Sequence, residues 1–79
     1  MQSFIDRRRP ALDTTQPSIR HIQDLIRERT TVAIQMVEGS EFEGVLRWQD
    51  LQYFGLQQGE DRPLTLLNRN CVSVVRVLA

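Results

Sequence analysis

Hydrophobic and polar residues alternate over most of the chain after residue 30, which is the pattern of β-strands with one buried face. In the clearest stretch, the apolar residues Phe42, Leu46 and Trp48 alternate with charged residues that include Glu43 and Arg47. The connections between such stretches are short, and this predicts antiparallel neighbours. We predict five strands, at residues 31–37, 40–49, 51–57, 64–70 and 71–78.

A different pattern precedes the first strand. Ile19, Ile22 and Leu25 recur at the spacing that brings side chains to one side of an α-helix, and Pro17 suits the first turn of a helix. This pattern predicts an amphipathic helix over residues 17–28. The β-branched residues that follow it favour a strand and are expected to end the helix.

A glycine interrupts the second predicted strand. Gly44 lies on the apolar face of that strand, where glycine usually marks a sharp bend or a close approach of backbone. A short sheet that bends there closes on itself as a small barrel. The predicted fold class is therefore mainly β with an N-terminal α-helix, in which a strongly bent, five-stranded antiparallel sheet forms an SH3-like small barrel.

A chain of 79 residues has room for one domain. Residues 1–15 are polar and lack periodicity, so we expect a flexible N-terminal tail followed by a domain at residues 16–79. A core of about sixty residues contributes only a few kcal/mol of stability. The last strand is apolar on both faces, and an exposed strand of that kind favours pairing with another chain. We therefore expect a homo-oligomer.

Charge is unevenly distributed along a chain of zero net charge. Residues 1–29 carry +2, residues 30–61 carry −5 and residues 62–79 carry +3. A neutral chain with an acidic middle is not a general binder of nucleic acid, so any such binding must be confined to a local patch. Cys71 lies in an apolar run, which predicts a buried thiol. A lone cysteine fits a reducing cytoplasm, and the sequence has no apolar run long enough for membrane insertion.

The sequence contains no pattern typical of an enzyme. It has no nucleophile–base pair, no phosphate loop and no metal-ligand spacing, so we expect no catalytic residues, no metal and no cofactor. Glu41 and Glu43 share one face of a strand, and an exposed acidic stripe is the favoured interpretation over an acid–base pair. His21 has no second histidine or nearby cysteine, which favours an exposed helix residue over a metal ligand.

The helix, the strands and the spacing Gly39-x4-Gly44-x5-Asp50 together resemble the Sm and Sm-like proteins. The segment IRERTTVAIQMVEGSEFEG is similar to the bacterial Hfq proteins, and PSIRHIQDLI with RWQD resembles their divergent cyanobacterial branch. The resemblance covers roughly residues 17–77. It implies an Sm-like fold and a ring of six subunits, in which the fourth strand of one subunit pairs with the fifth strand of the next.

The resemblance also implies RNA-binding positions. Asn68, Arg69 and Asn70 match the family's pore run on the helix side of the ring, where Arg69 is expected to neutralise phosphates. Gln52 stands where the family has a base-stacking phenylalanine, and the loss of that ring weakens the site because stacking carries much of the affinity for single strands.

Two further surfaces follow from the same resemblance. Arg27 and Arg29 match the arginine cluster of the outer rim, where a partly ion-paired helix end is the alternative interpretation. The face opposite the helix has Gln35 and Glu41 at the family's RNA-binding positions, and Glu43 adds negative charge that repels phosphate.

Two functions remain open at this point. The first is an Hfq-like ring that binds small regulatory RNA and mRNA in post-transcriptional regulation, with weak or altered affinity. The second is a ring of the same fold that binds a protein on its helix-side face, as an adaptor for a partner such as a pilus assembly motor. The retained rim arginines favour the RNA-binding function, and the acidic face opposite the helix favours the protein-binding function.

Overall fold

The computed structural model describes residues 12–78 of the chain. The predicted tail falls largely outside the described residues, which exclude residues 1–11. Helix α1 spans Pro17–Glu28 and confirms the predicted helix. The strands that follow are β1 (Thr31–Met36), β2 (Glu41–Gln49), β3 (Tyr53–Gln57), β4 (Thr65–Asn68) and β5 (Val72–Val77). All neighbouring strands are antiparallel.

The order of the strands explains the curvature of the sheet. They are arranged β4-β3-β2-β1-β5, so β4 and β5 lie at opposite edges. Yet only a 3-10 turn at Arg69–Cys71 joins these two strands. Three residues span roughly 10 Å at most, so the sheet must curl until its edges approach each other. The predicted strongly bent sheet is confirmed.

The core lies between α1 and the inner face of this curled sheet. Ile22 and Leu25 of α1 are buried against it. The largest side chains that are fully enclosed are Val32, Ile34, Leu46 and Leu56, one pair from β1 and one residue each from β2 and β3. Burying a side chain of this size stabilises a fold by about 1.5–3 kcal/mol. These residues occupy apolar positions of the alternating pattern from which the strands were predicted.

Gly44 lies where β2 changes partner. Residues of β2 up to Val45 pair with β1, and residues from Val45 onward pair with β3. A Cβ atom at Gly44 would lie 2.3 Å from the carbonyl oxygen of Gln57. The backbone approach that the sequence predicted at this glycine is therefore confirmed.

A bulge in β2 changes which side chains face the core. Leu46 pairs with Leu56, but the register then shifts and Trp48 pairs with Gly55. Leu56 is fully buried, whereas a Cβ atom on Gly55 would lie 2.6 Å from the Trp48 ring, on the opposite face. The expectation that Trp48 shares the face of Leu46 was wrong, because the bulge places an extra residue between them.

Local hydrogen bonds make the third and fourth strands shorter than predicted. The carboxylate of Asp50 accepts hydrogen bonds from the amides of Gln52 (2.8 Å) and Tyr53 (2.7 Å), so β3 begins only at Tyr53. The side chain of Asn68 accepts from the amide of Asn70 at 2.9 Å and starts the 3-10 turn. Asx side chains commonly compete with strand ladders in this way.

The exposure of Cys71 also differs from the expectation. Cys71 is the last residue of the 3-10 turn and is exposed. The prediction of a buried thiol was wrong for the single subunit, because the turn ends just before the half-buried strand position at Val72.

Candidate functional site

The four predicted pore residues lie together at the junction of β4 and β5. Asn68 ends β4, and Arg69 and Asn70 form the 3-10 turn. Gln52 belongs to the turn before β3, and its carbonyl oxygen accepts a hydrogen bond from the amide of Arg69 at 2.7 Å. Asn68, Asn70 and Gln52 are exposed and Arg69 is half-buried. The site therefore presents three amide side chains around one cation.

The guanidinium of Arg69 is held by the protein itself. Nη1 donates to the carbonyl oxygen of Asp50 at 3.1 Å, and Nη2 donates to Oε1 of Gln49 at 3.0 Å. The Cζ atom lies 4.5 Å from the centroid of the Phe54 ring, which is within the range of a cation–π contact. The orientation of this cation is thus fixed before any ligand binds.

Gln49 connects this cation to α1, and the sequence analysis missed it. Its Nε2 donates to Oε1 of Gln23 at 2.8 Å and to the carbonyl oxygen of Ile19 at 3.3 Å, while its Oε1 accepts from Arg69. Gln49 pairs with Phe54 on the core side of the sheet as a result of the β2 bulge. Strict alternation assigns Gln49 to the outer face, so the sequence pattern gave no signal for this contact.

The electrostatics of the turn follow from its hydrogen bonds. The backbone amide of Gln52, then that of Tyr53, lowers the pKa of Asp50, and the nearby charge of Arg69 acts in the same direction. Burial lowers the pKa of Arg69, and the charge of Asp50 opposes this shift. A guanidinium remains protonated in proteins, so the site carries a charged pair at neutral pH.

The two predicted rim arginines do not lie in one cluster. Nη2 of Arg27 forms an ion pair with Oδ1 of Asp24 at 2.8 Å, and both side chains are largely exposed. The ion pair at this helix end therefore joins Arg27 to Asp24, one turn earlier in α1. Exposed pairs of this kind contribute about 0–1 kcal/mol, so Arg27 is readily available to another anion.

Arg29 has different surroundings. It is the C-cap of α1 and has a left-handed conformation with φ 54°. Its side chain lines an open cavity of about 450 Å³. The polar residues that share this cavity are Thr31, Glu43, Arg47, Gln57, Gln58 and Glu60. Arg47 also donates to the side chain of Gln57. The rim cations thus occupy two separate places.

The face opposite the helix carries a cation that the sequence analysis missed. Glu41 and Glu43 are exposed and Gln35 is half-buried, as expected for this face. Nη2 of Arg76 on β5 forms an ion pair with Oε2 of Glu41 at 2.9 Å. Ala33 pairs with both Glu43 and Arg76, which brings all these charges to one surface. The face keeps an excess of negative charge, but a smaller one than the two glutamates alone suggest.

Within residues 12–78, no three histidine, cysteine, aspartate or glutamate residues lie close enough together to hold a metal ion. The single α-helix of the same segment falls short of the length and apolar character needed to cross a membrane.

A helix followed by five strands in one bent antiparallel sheet is the Sm-like fold. The chain belongs to the Hfq-related family, whose model matches residues 16–77. A crystal structure of Hfq, described as a pleiotropic translational regulator, is similar with a TM-score of 0.72 and 16% identity, covering 78% of this chain and 100% of that one. An Hfq protein from Anabaena sp. has a TM-score of 0.70 and 29% identity, covering 78% of this chain and 97% of that one. No curated protein sequence matches the chain.

Proposed function

We propose that this chain forms an Hfq-like ring that binds single-stranded RNA, namely small regulatory RNA and mRNA, in post-transcriptional regulation. The observation that carries the proposal is the convergence of Gln52, Asn68, Arg69 and Asn70 at one turn. Amide side chains donate to and accept from the edges of bases, and arginine contacts both bases and phosphates. In this proposal the protein binds RNA in the cytoplasm and has no catalytic activity, metal or cofactor.

Ring formation is supported by the two edges of the sheet. Both β4 and β5 are edge strands, so their outer backbone groups are free to pair with another subunit. Leu66 of β4 is 52% exposed, and Val74 and Val77 of β5 are 39% and 47% exposed. Two different edges make a head-to-tail contact that generates a closed ring when the rotation allows it. We propose a ring of six subunits.

The affinity for RNA is expected to be weak to moderate. Arg27 and Arg29 supply phosphate contacts at the rim, but Arg27 is shared with Asp24 and Arg29 lies beside Glu43 and Glu60. The opposite face carries net negative charge and is expected to repel RNA. Repetition of the pore site around a ring compensates in part, because linked sites raise the effective concentration of the ligand.

A salt titration tests the proposal. Purified protein is titrated with a uridine-rich and an adenine-rich RNA oligomer at several salt concentrations between about 20 and 200 mM, with a single-stranded oligomer of mixed sequence for comparison. We expect binding of the uridine-rich strand that weakens as salt increases, because each neutralised phosphate contributes about −0.7 to the slope of log K against log salt. Absence of binding to every oligomer at the lowest salt would reject the RNA proposal.

The second candidate is an adaptor for a protein partner, such as a pilus assembly motor, on the helix-side face. The observation that favours it is the engagement of Arg69 with the Asp50 carbonyl, Gln49 and Phe54, which leaves fewer of its N–H donors for phosphate. In that case, changes at residues 68–70 should abolish capture of the partner while Arg27→Ala has no effect on it. The RNA proposal predicts that Arg27→Ala weakens binding.

A further inference from the structure

The side-chain amide of Gln49 joins two elements of the fold. Its Nε2 donates to Oε1 of Gln23 at 2.8 Å and to the carbonyl oxygen of Ile19 at 3.3 Å, both in α1. Its Oε1 accepts from Nη2 of Arg69, in the turn between β4 and β5, at 3.0 Å. An amide has donor hydrogens at one end and an acceptor oxygen at the other. The Gln49 amide therefore cannot rotate toward one of these elements without weakening its contact with the other.

The strand side of this connection is rigid. Gln49 is the last residue of β2 and pairs with Phe54 of β3, so the sheet holds its backbone in place. The guanidinium of Arg69 is placed by two further contacts, with the ring of Phe54 at 4.5 Å and with the carbonyl oxygen of Asp50 at 3.1 Å. Because the backbone of β2 is fixed, a displacement of Arg69 reaches Gln49 as a rotation of its amide.

The helix side of the connection is the weaker one. Helix α1 has 12 residues, and helices of that length are marginal on their own. Its N-cap, Gln16, makes no side-chain capping bond, and its first turn has no acidic residue, so this end lacks two common stabilising features. The other end is closed by the amides of Arg29 and Thr30. The first two turns are therefore the part of α1 that most depends on Gln49.

We propose that Gln49 couples α1 to the turn between β4 and β5, so that displacement of Arg69 loosens the N-terminal half of α1. The two states are a docked helix, with the amide engaged at both ends, and a locally opened helix that leaves Arg69 without this acceptor. Such a coupling is reciprocal, because its free energy is the same from either end. Helix α1 also carries Arg27, so the device connects the turn to the rim. The coupling is a property of the folded subunit and does not depend on RNA binding.

Hydrogen exchange followed by mass spectrometry tests the coupling in the assembled protein without a ligand. The measured quantity is the ratio of exchange rates between residues 18–24 of α1 and β1. Strand β1 lies inside the sheet, so its amides report global unfolding, and a general loss of stability raises both rates alike. Arg69→Met removes the donor to Gln49 but keeps a long side chain over Phe54. We expect the ratio to rise about two- to tenfold, the range that one net hydrogen bond gives.

Two further variants show whether the effect passes through Gln49. Arg76→Met makes the same substitution on the opposite face, where Arg76 pairs with Glu41, and should leave the ratio unchanged. Gln49→Met should raise the ratio at least as much as Arg69→Met. The double variant should match Gln49→Met alone, because Arg69 has no route to α1 once the amide is absent.

The remaining outcomes reject the coupling. If Arg69→Met leaves the ratio at the wild-type value while Gln49→Met raises it, Gln49 supports α1 independently of the turn. If the double variant shows the product of the two single effects, the two residues act separately. An equal rise in Arg69→Met and Arg76→Met would show a general effect of lost charge.

A substitute variant covers a failure of Gln49→Met to assemble, which light scattering detects. Gln49→Glu keeps an acceptor for Arg69 but has no donor for α1. It should raise the exchange ratio by itself and leave Arg69→Met without a further effect on α1. A further rise on adding Arg69→Met would reject the coupling. The proposed RNA binding is tested separately by the salt titration, so the two proposals can fail independently.

Discussion

The carbonyl oxygen of Gln57 in β3 lies against Gly44 of β2, so closely that a Cβ atom at position 44 would be 2.3 Å away from it. This contact occurs where β2 leaves its partner β1 and begins to pair with β3. The bend that closes the sheet therefore depends on the absence of a side chain at one position.

The first prediction concerns this glycine. Gly44→Val should lower the free energy of unfolding by about 1–3 kcal/mol, because the side chain overpacks a contact between two backbones. Chemical denaturation monitored by circular dichroism gives the measurement. Gly59→Ala is the control, since its Cβ would meet the flexible side chain of Arg62 at 3.1 Å rather than a backbone. Equal stability of Gly44→Val and the wild type would contradict the proposed role of the bend.

Some elements of the fold could be predicted from the sequence, and the bulge in β2 could not. Helix α1 and the buried positions of β1 follow from local periodicity, because each residue type records which face it occupies. The bulge at Arg47 does not, since it arises from the pairing of β2 with β3. The pairing of two strands does not change the alternation of hydrophobic and polar residues within either of them. Strict alternation therefore assigned Trp48 and Gln49 to the wrong faces.

The second prediction concerns assembly. Val74→Asp should shift the protein from ring to smaller species at micromolar concentration, because it places a charge on the free, partly exposed edge strand β5. Multi-angle light scattering measures the mass. Val74→Thr keeps the branched shape and should preserve the assembly. Val75 is less suitable because it packs against the core. A wild-type monomer at this concentration would show that the ring prediction is wrong.

The third prediction concerns acid stability. The pKa of Asp50 is lowered in the folded protein, so its contribution to stability is complete above the unfolded value of about 3.9. That contribution is lost as the pH falls from there through the lower folded pKa. Asp50→Asn keeps an acceptor for the turn but removes the charge. Its melting temperature should therefore be below that of the wild type at pH 7 and converge with it near pH 2.

Asp61 offers a matched control for this experiment. It is exposed in the loop between β3 and β4, and Asp61→Asn should follow the wild-type curve over the whole pH range. If Asp50→Asn also followed that curve, the hydrogen bonds of Asp50 to Gln52 and Tyr53 would have no part in stability.

The fourth prediction concerns the rim. Arg27→Ala should weaken RNA binding severalfold at low salt and make the salt slope shallower by about 0.7, because it removes one phosphate contact per bound site. Fluorescence anisotropy with a labelled oligomer gives both values. Arg20→Ala removes an equal charge from α1 at an exposed position and should have a smaller effect. An identical loss in both variants would indicate general charge rather than a rim site.

The fifth prediction concerns the face opposite the helix. Glu41→Lys should increase the affinity for adenine-rich RNA, because it removes an acidic group, adds a cation and releases Arg76 from its ion pair. Glu60→Lys changes the net charge equally in the loop after β3 and serves as the control. If both variants gained the same affinity, the increase would come from total charge and not from this face.

The candidate site was only partly predictable, because some of its contacts join residues that are far apart in the sequence and leave no local pattern. Asn68, Arg69, Asn70 and Gln52 were expected together, and the hydrogen bond between the backbones of Arg69 and Gln52 brings them together. The contacts of Arg69 with Gln49 and Phe54 depend on how the strands pair, which the sequence pattern does not record. Arg27 and Arg29 are two residues apart in sequence, and positions two apart on a helix do not face each other; Arg27 pairs with Asp24, whereas Arg29 lines the open cavity.

Trp48 rests on Gly55, where the absence of a side chain leaves the indole in direct contact with the β3 backbone. It is also the one tryptophan of the chain. The protein thus contains its own optical reporter, because indole emission moves to longer wavelengths when the ring becomes hydrated. Its fluorescence records whether β2 and β3 remain joined. The unfolding of the subunit can therefore be followed without attaching a dye.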